Sequence, residues 1–225
     1  MDVQIKHQPS FSLAVVTLDP SENIRVESGA MVSFSDGVNI ETKAEGGFFG
    51  GLKRMVGGES FFVNTYTAPA SGGEVTLAPA LPGDMKTIEI TNGKNFLLQS
   101  GAYVASENGV VTDTKWGGAK GFFGSGSLIL LRVSGAGTVL ICSYGALEER
   151  VLAPGQRYNV DTGHIVGFDE SVQFEVKRVG GWKSTVLSGE GLICGLTGPG
   201  RVLMQTRSEE AFLGWLIPHI PQKSN

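Results

Sequence analysis

Short alternations of apolar and polar residues, each interrupted by glycine, run along nearly the whole chain. "ENIRVESGAMVSF", "KNFLLQSGAYVAS" and "QRYNVDTGHIVGF" share one template: apolar, variable, apolar, then Glu, Gln or Asp, then Ser or Thr, then Gly. Ile24 and Val26, Phe96 and Leu98, and Tyr158 and Val160 recur with a period of two, which predicts half-buried strands. Gly29, Gly101 and Gly163 mark a kink or turn, after which each copy resumes as a second apolar stretch.

Further along, "GGLKRMVGGESFF", "GGAKGFFGSGSLIL" and "GGWKSTVLSGEGLI" bring Lys53, Lys120 and Lys183 into correspondence. Tight turns and strands follow in "SGGEVTL", "GAGTVLI" and "GPGRVLM", aligning Val75, Val139 and Val202. The pattern predicts an all-β body over residues 1–208, built of three β-sandwich-like repeats in a pseudo-threefold arrangement (about 10–78, 79–142 and 143–208). Pro20 and Pro154 precede their glycines by the same spacing. That match predicts that the N-terminal strand "FSLAVVTL" completes the last unit, closing a ring and removing exposed sheet edges. Helix is expected only as a turn near "GLKRMV" and within 208–217, at the start of an apolar tail spanning 209–225.

Composition narrows the classes. Of 225 residues, 41% are hydrophobic and 18% charged, with a net charge of −4, so a packed core is expected and no global positive field exists to gather nucleic acid. Cys142 and Cys194 both stand in apolar runs and read as reduced core residues, which points to a cytoplasmic setting. Met1 to Lys6 alternates without a basic or apolar leader segment, so no secretory signal is expected there. The tail "AFLGWLIPHI" is shorter than the roughly 18 residues of a membrane span and is cut by Pro218. It could pack on the body, meet another subunit, or lie in a membrane interface as a peripheral contact.

Candidate chemistry is sparse. "GGWKST" resembles a phosphate-binding loop, but Trp182 separates glycine from lysine, so the amides and the ammonium group cannot converge as that loop requires. Lys53, Lys120 and Lys183 are read as solvated lysines over glycine turns, with an anion- or ligand-binding ring about a pseudo-axis as the functional alternative. His164 replaces Ala30 and Ala102 of the other copies and is read as a hydrogen-bonded structural histidine, or else as a ligand contact. Glu27, Gln99 and Asp161 share one position, which suits a hydrogen bond to the turn backbone better than acid–base chemistry. No catalytic residue, metal-ligand spacing or cofactor motif is assigned, and an enzyme is not expected. Phe48, Phe49, Phe122, Phe123 and Trp182 on glycine-rich loops, with Phe212 and Trp215 in the tail, are either core or an interaction face.

"ESGAMV", "GGLKRMVGGES", "VDTGHIVGF", "GGWKSTVLSGEGLI" and "GPGRVLMQTR", in that order, resemble the bacterial and archaeal relatives of the mitochondrial protein called altered inheritance of mitochondria twenty-four, over about residues 10–208. The resemblance implies a fold like that of the tryptophan-RNA-binding attenuation protein (TRAP-like): β-sandwich units that assemble, with a homotrimer favoured. The mitochondrial relative is associated with inner-membrane organisation, and no functional residue carries over. The expectation is therefore a non-enzymatic oligomeric scaffold that contacts a membrane surface or a partner protein. The alternative is a ring-like module binding a small ligand or RNA through clustered glycine-rich loops.

Overall fold

The structure, a computed structural model, describes residues 1–42, 63–113, 122–123, 128–178 and 192–221. These form β1 (Asp2–Lys6), β2 (Leu13–Leu18), β3 (Asn23–Glu27), β4 (Met31–Phe34), β5 (Asn39–Thr42), β6 (Val63–Thr67) and β7 (Gly73–Leu77). Next come β8 (Met85–Ile90), β9 (Phe96–Gln99), β10 (Tyr103–Glu107), β11 (Val110–Asp113), β12 (Phe122–Phe123), β13 (Leu128–Gly135) and β14 (Gly137–Cys142). The last group is β15 (Leu147–Leu152), β16 (Arg157–Asp161), β17 (Ile165–Asp169), β18 (Gln173–Arg178), β19 (Leu192–Thr197) and β20 (Gly200–Gln205), followed by the helix α1 (Glu209–Leu216). The expected all-β class with little helix is what the chain adopts, and the helix lies in the stretch assigned to it.

Four sheets result, with orders β1-β2-β7-β4, β5-β6-β3-β10-β14-β8, β11-β13-β9-β17-β20-β15 and β16-β19-β18; β12 adds to β13. Every ladder between these strands is antiparallel, and one pairing order recurs along the chain. β2-β7-β4, β8-β14-β10 and β15-β20-β17 are one kind of triplet; β5-β6-β3, β11-β13-β9 and β18-β19-β16 are the other. A β-bulge falls at the same place in β4, β10 and β17, between Met31 and Ser33, Tyr103 and Ala105, and Ile165 and Gly167. Unlike triplets are joined edge to edge twice, by β3 against β10 and by β9 against β17. β4 and β16 are left at the ends of their sheets.

Each core lies between neighbouring sheets. Val16, Leu18, Val75 and Leu77 of the first sheet pack with Ile24, Val26 and Tyr66 of the second. Ile88, Val139 and Ile141 of the second meet Leu98, Leu131 and Val133 of the third. Leu97, Leu130 and Val202 of the third meet Val160, Cys194 and Leu196 of the fourth. Successive residues of a strand face opposite ways, so Leu97 and Leu98 enter different cores. That two-sided burial is why β9 reads as an unbroken apolar run where a half-exposed strand would alternate.

The N-terminal strand corrects one expectation. β2 pairs with β1 and β7, placing Val16 opposite Val75 and Ala14 opposite Leu77. Among the described residues it therefore completes the first set of strands and not the last, because its inward residues belong to the core shared with β7. The three anchor glycines all fall at the expected junctions, but for different reasons. Gly29 has φ +96, a conformation that a side chain resists, whereas Gly101 and Gly163 lie within 3-10 turns and show no positive φ. At Gly163 the constraint is space, since a Cβ there would stand 2.6 Å from the Ser208 hydroxyl.

Candidate interaction surface

Most of the loop residues singled out above cannot be placed. Lys53, Lys120, Lys183, Phe48, Phe49 and Trp182 lie outside the described residues. Phe122 and Phe123 form β12, opposite Ile129 and Leu128 of β13. His164, Phe212 and Trp215 are placed, and they fall in one region.

That region starts where β20 ends. The Gln205 side chain donates to the carbonyl of Gly163 at 2.9 Å and accepts from the backbone N–H of Tyr144 at 2.9 Å. His164 Nδ1 donates to the Gln205 carbonyl at 2.7 Å, so this histidine takes the structural role its repeat position suggested. Asp161 accepts from the Gly163 N–H at 2.8 Å, the turn bond expected of that position. These bonds fix the junction from which the tail leaves.

Ser208, buried beside Gly163, caps α1 by accepting from the Ala211 N–H, and Glu209 and Glu210 occupy the first turn, where the helix dipole favours negative charge. The helix then buries none of its residues. Phe212 meets Tyr144 edge to face with centroids 6.1 Å apart, and Trp215 stacks between Phe212 and His219 at 6.4 and 5.1 Å. Leu213, Ile217 and Ile220 are also exposed, and Trp215 keeps 61% of its surface open. Both the aromatic stripe and the aliphatic residues thus remain in water. "AFLGWLIPHI" shows this apolarity in the sequence, but a pattern alone does not say whether anything covers it.

A second apolar surface escaped the sequence reading. Met31, Val32 and Phe34 of β4 and Ile40 of β5 are all exposed, along a strand with no partner on one side. The only available signal was the count of strand halves: an open row of alternating triplets must end in two unlike edges.

Redox and metal chemistry find no foothold among the described residues. No group of three or more His, Cys, Asp and Glu is placed to hold a metal there. Cys142 and Cys194 are free and buried, and burial first, with nearby carboxylates second, pushes both thiols up to about 12. Neither is a nucleophile at neutral pH. Among the described residues no helix is long and apolar enough to cross a membrane.

Fold and surface together define an antiparallel multi-sheet β protein whose exposed features are apolar faces and not a reaction centre. The chain belongs to the family described as mitochondrial biogenesis AIM24, whose model matches residues 3–207. It is similar to an uncharacterised protein of Streptococcus pyogenes serotype M6, at 27% identity over 100% of this chain and 93% of that protein. The crystal structure of a Streptococcus pyogenes protein superposes with a TM-score of 0.80 at 24% identity, covering 97% of this chain and 99% of the other, and so shares the fold.

Proposed function

We propose that this protein is a non-enzymatic, cytoplasmic homo-oligomeric scaffold that lies against a membrane surface through its C-terminal helix. The carrying observation is α1, an ordered and capped helix on which Phe212, Leu213, Trp215, Ile217 and Ile220 all face solvent. Contiguous apolar surface of this kind marks a contact site, and Trp suits the boundary between lipid headgroup and acyl chain. The net charge of −4 argues for insertion driven by apolar area and not by attraction to anionic lipid. Two free cysteines support the reducing compartment. The recurring triplet order supports the TRAP-like triplication, and a trimer of such chains is the assembly we favour.

The test is flotation with phosphatidylcholine vesicles. Full-length protein is expected to rise with the vesicles, and the paired change Phe212→Ser with Trp215→Ser is expected to leave it at the bottom of the gradient. A wild-type protein that stays at the bottom overturns membrane contact and leaves a protein partner for this face. Equal flotation of the paired variant removes the helix from the mechanism.

A further inference from the structure

β4 and β16 end their sheets, yet each has counterparts that are joined elsewhere in the same chain. β3 meets β10 with Val26 opposite Ala105, Arg25 opposite Ser106 and Ile24 opposite Glu107. β9 meets β17 with Leu98 opposite Gly167, Leu97 opposite Phe168 and Phe96 opposite Asp169. Counted from the anchor glycines, the two registers are the same. One rule therefore joins unlike edges twice, and one pair of edges remains.

We propose that β4 of one copy of this chain pairs antiparallel with β16 of a second copy in that register, with Ser33 opposite Val160, Phe34 opposite Asn159 and Ser35 opposite Tyr158. This rests on the reading of the protein as a homo-oligomer and adds the surface, the register and the polarity. Because the two edges differ, the contact is head to tail and every copy carries one of each. Such a contact closes into a ring when the rotation between copies permits, and otherwise propagates.

Burial supports both sides of the joint. Val104 and Val166, the bulge residues of β10 and β17, are 0% exposed, while Val32 at the same place in β4 is 56% exposed. Phe168 is 0% exposed and its counterpart Phe34 is 43% exposed. On the opposite edge, Ile24 and Phe96 are buried, whereas Tyr158 at their position in β16 is only partly buried against the core of the fourth sheet. Val104 belongs to the core of the strands it joins, and so does Val166. By the same rule Val32 of one copy reaches the core containing Val160, Cys194 and Leu196 of the next. A second copy fits better than any unrelated strand because it brings the complementary edge, already shaped for this pairing.

The test combines mass and cross-linking on the full chain. Wild-type protein is expected to sediment above the mass of one chain, and Val32→Lys to sediment at that mass with an unchanged circular dichroism spectrum. Differently tagged Phe34→Cys and Asn159→Cys chains, mixed and oxidised, are expected to give a disulfide-linked heterodimer, while neither variant links to itself. Cys142 and Cys194 are buried and do not compete. An oligomer that keeps its mass in Val32→Lys and gives no heterodimer overturns this joint and leaves oligomerisation standing. A monomeric wild type overturns both. A Phe34→Cys homodimer shows β4 against β4, and an intrachain disulfide in the doubly substituted monomer shows the ends closing on each other; either overturns the head-to-tail contact.

Discussion

β4 and β10 carry near-identical local sequences, "MVSF" and "YVAS", with the same bulge, the same pairing to a following strand and the same distance from an anchor glycine. Yet every residue of β4 is exposed, and the first four of β10 are buried. Burial of this strand is set by the neighbour across its outer edge. β10 has β3 there; among the described residues β4 has nothing. The same strand is core in one place and surface in the other.

The largest expected effect breaks that comparison directly. Val104→Asp puts an unpaired carboxylate into the core between the first and second sheets and is expected to cost more than about 4 kcal/mol, enough to leave little folded protein. Val32→Asp, at the equivalent site in β4, is expected to change the unfolding free energy of the isolated chain by less than about 0.5 kcal/mol. Chemical denaturation of the two variants side by side measures both. A large loss from Val32→Asp in a monomer would mean that β4 is already covered within its own chain.

The next effect sharpens the comparison by one position. Gly167 of β17 corresponds to Ser33 of β4, and a Cβ at Gly167 would stand 2.4 Å from Phe96 Cε1 and 2.6 Å from the Leu97 carbonyl. Gly167→Ala is expected to cost about 1–3 kcal/mol, since the obstructing carbonyl belongs to a buried strand that has no room to shift. Ser33→Ala, at an open edge, is expected to be nearly neutral. Midpoints of thermal unfolding separate the two, at roughly 2–4 °C per kcal/mol for a chain of this size.

Much of this was legible in the sequence. The period of two around Ile24, Phe96 and Tyr158 gave strands, the glycine junctions gave their ends, and the run of Ser208 and two glutamates ahead of the apolar tail marked the helix start. The destination of the N-terminal strand was not legible. Leu13–Leu18 suits any apolar partner, and only three-dimensional pairing assigns it to β7. Nor was the open edge visible, because Val32 and Val104 differ in what stands opposite them and not in their own surroundings. Of the proposed site residues, His164 was read correctly because one imidazole among small apolar counterparts requires a hydrogen-bond partner. The lysines remain an expectation from spacing alone.

A smaller effect concerns that histidine. Ala30 and Ala102 hold its position at the other two junctions, where no helix departs. His164→Ala, which makes the third junction like them, removes one hydrogen bond to Gln205 and is expected to cost about 1 kcal/mol. The loss should be local, so faster hydrogen exchange is expected in 209–216 with little change in β3 or β10. Uniform acceleration across the sheets would instead make this bond part of the global core.

The smallest expected effect lies where the covered edge is clamped. Beside the joint of β9 and β17, Glu170 accepts from Arg132 Nε at 2.7 Å and from Asn95 Nδ2 at 2.6 Å. The Arg132 guanidinium, with the Asn95 amide adding to it against a burial penalty, holds this carboxyl below its ordinary value of 4.5. A carboxylate with a lowered folded value contributes stability above its ordinary value and loses it as the pH falls through the lower folded one. The pair is partly solvated, so the contribution is discounted to about 0.5 kcal/mol. Glu170→Gln should therefore lower the unfolding midpoint by 1–2 °C at pH 7, with the difference closing as the pH falls below 4.5. A difference that persists in acid would assign the stabilisation to the neutral hydrogen bonds at this joint and not to its charge.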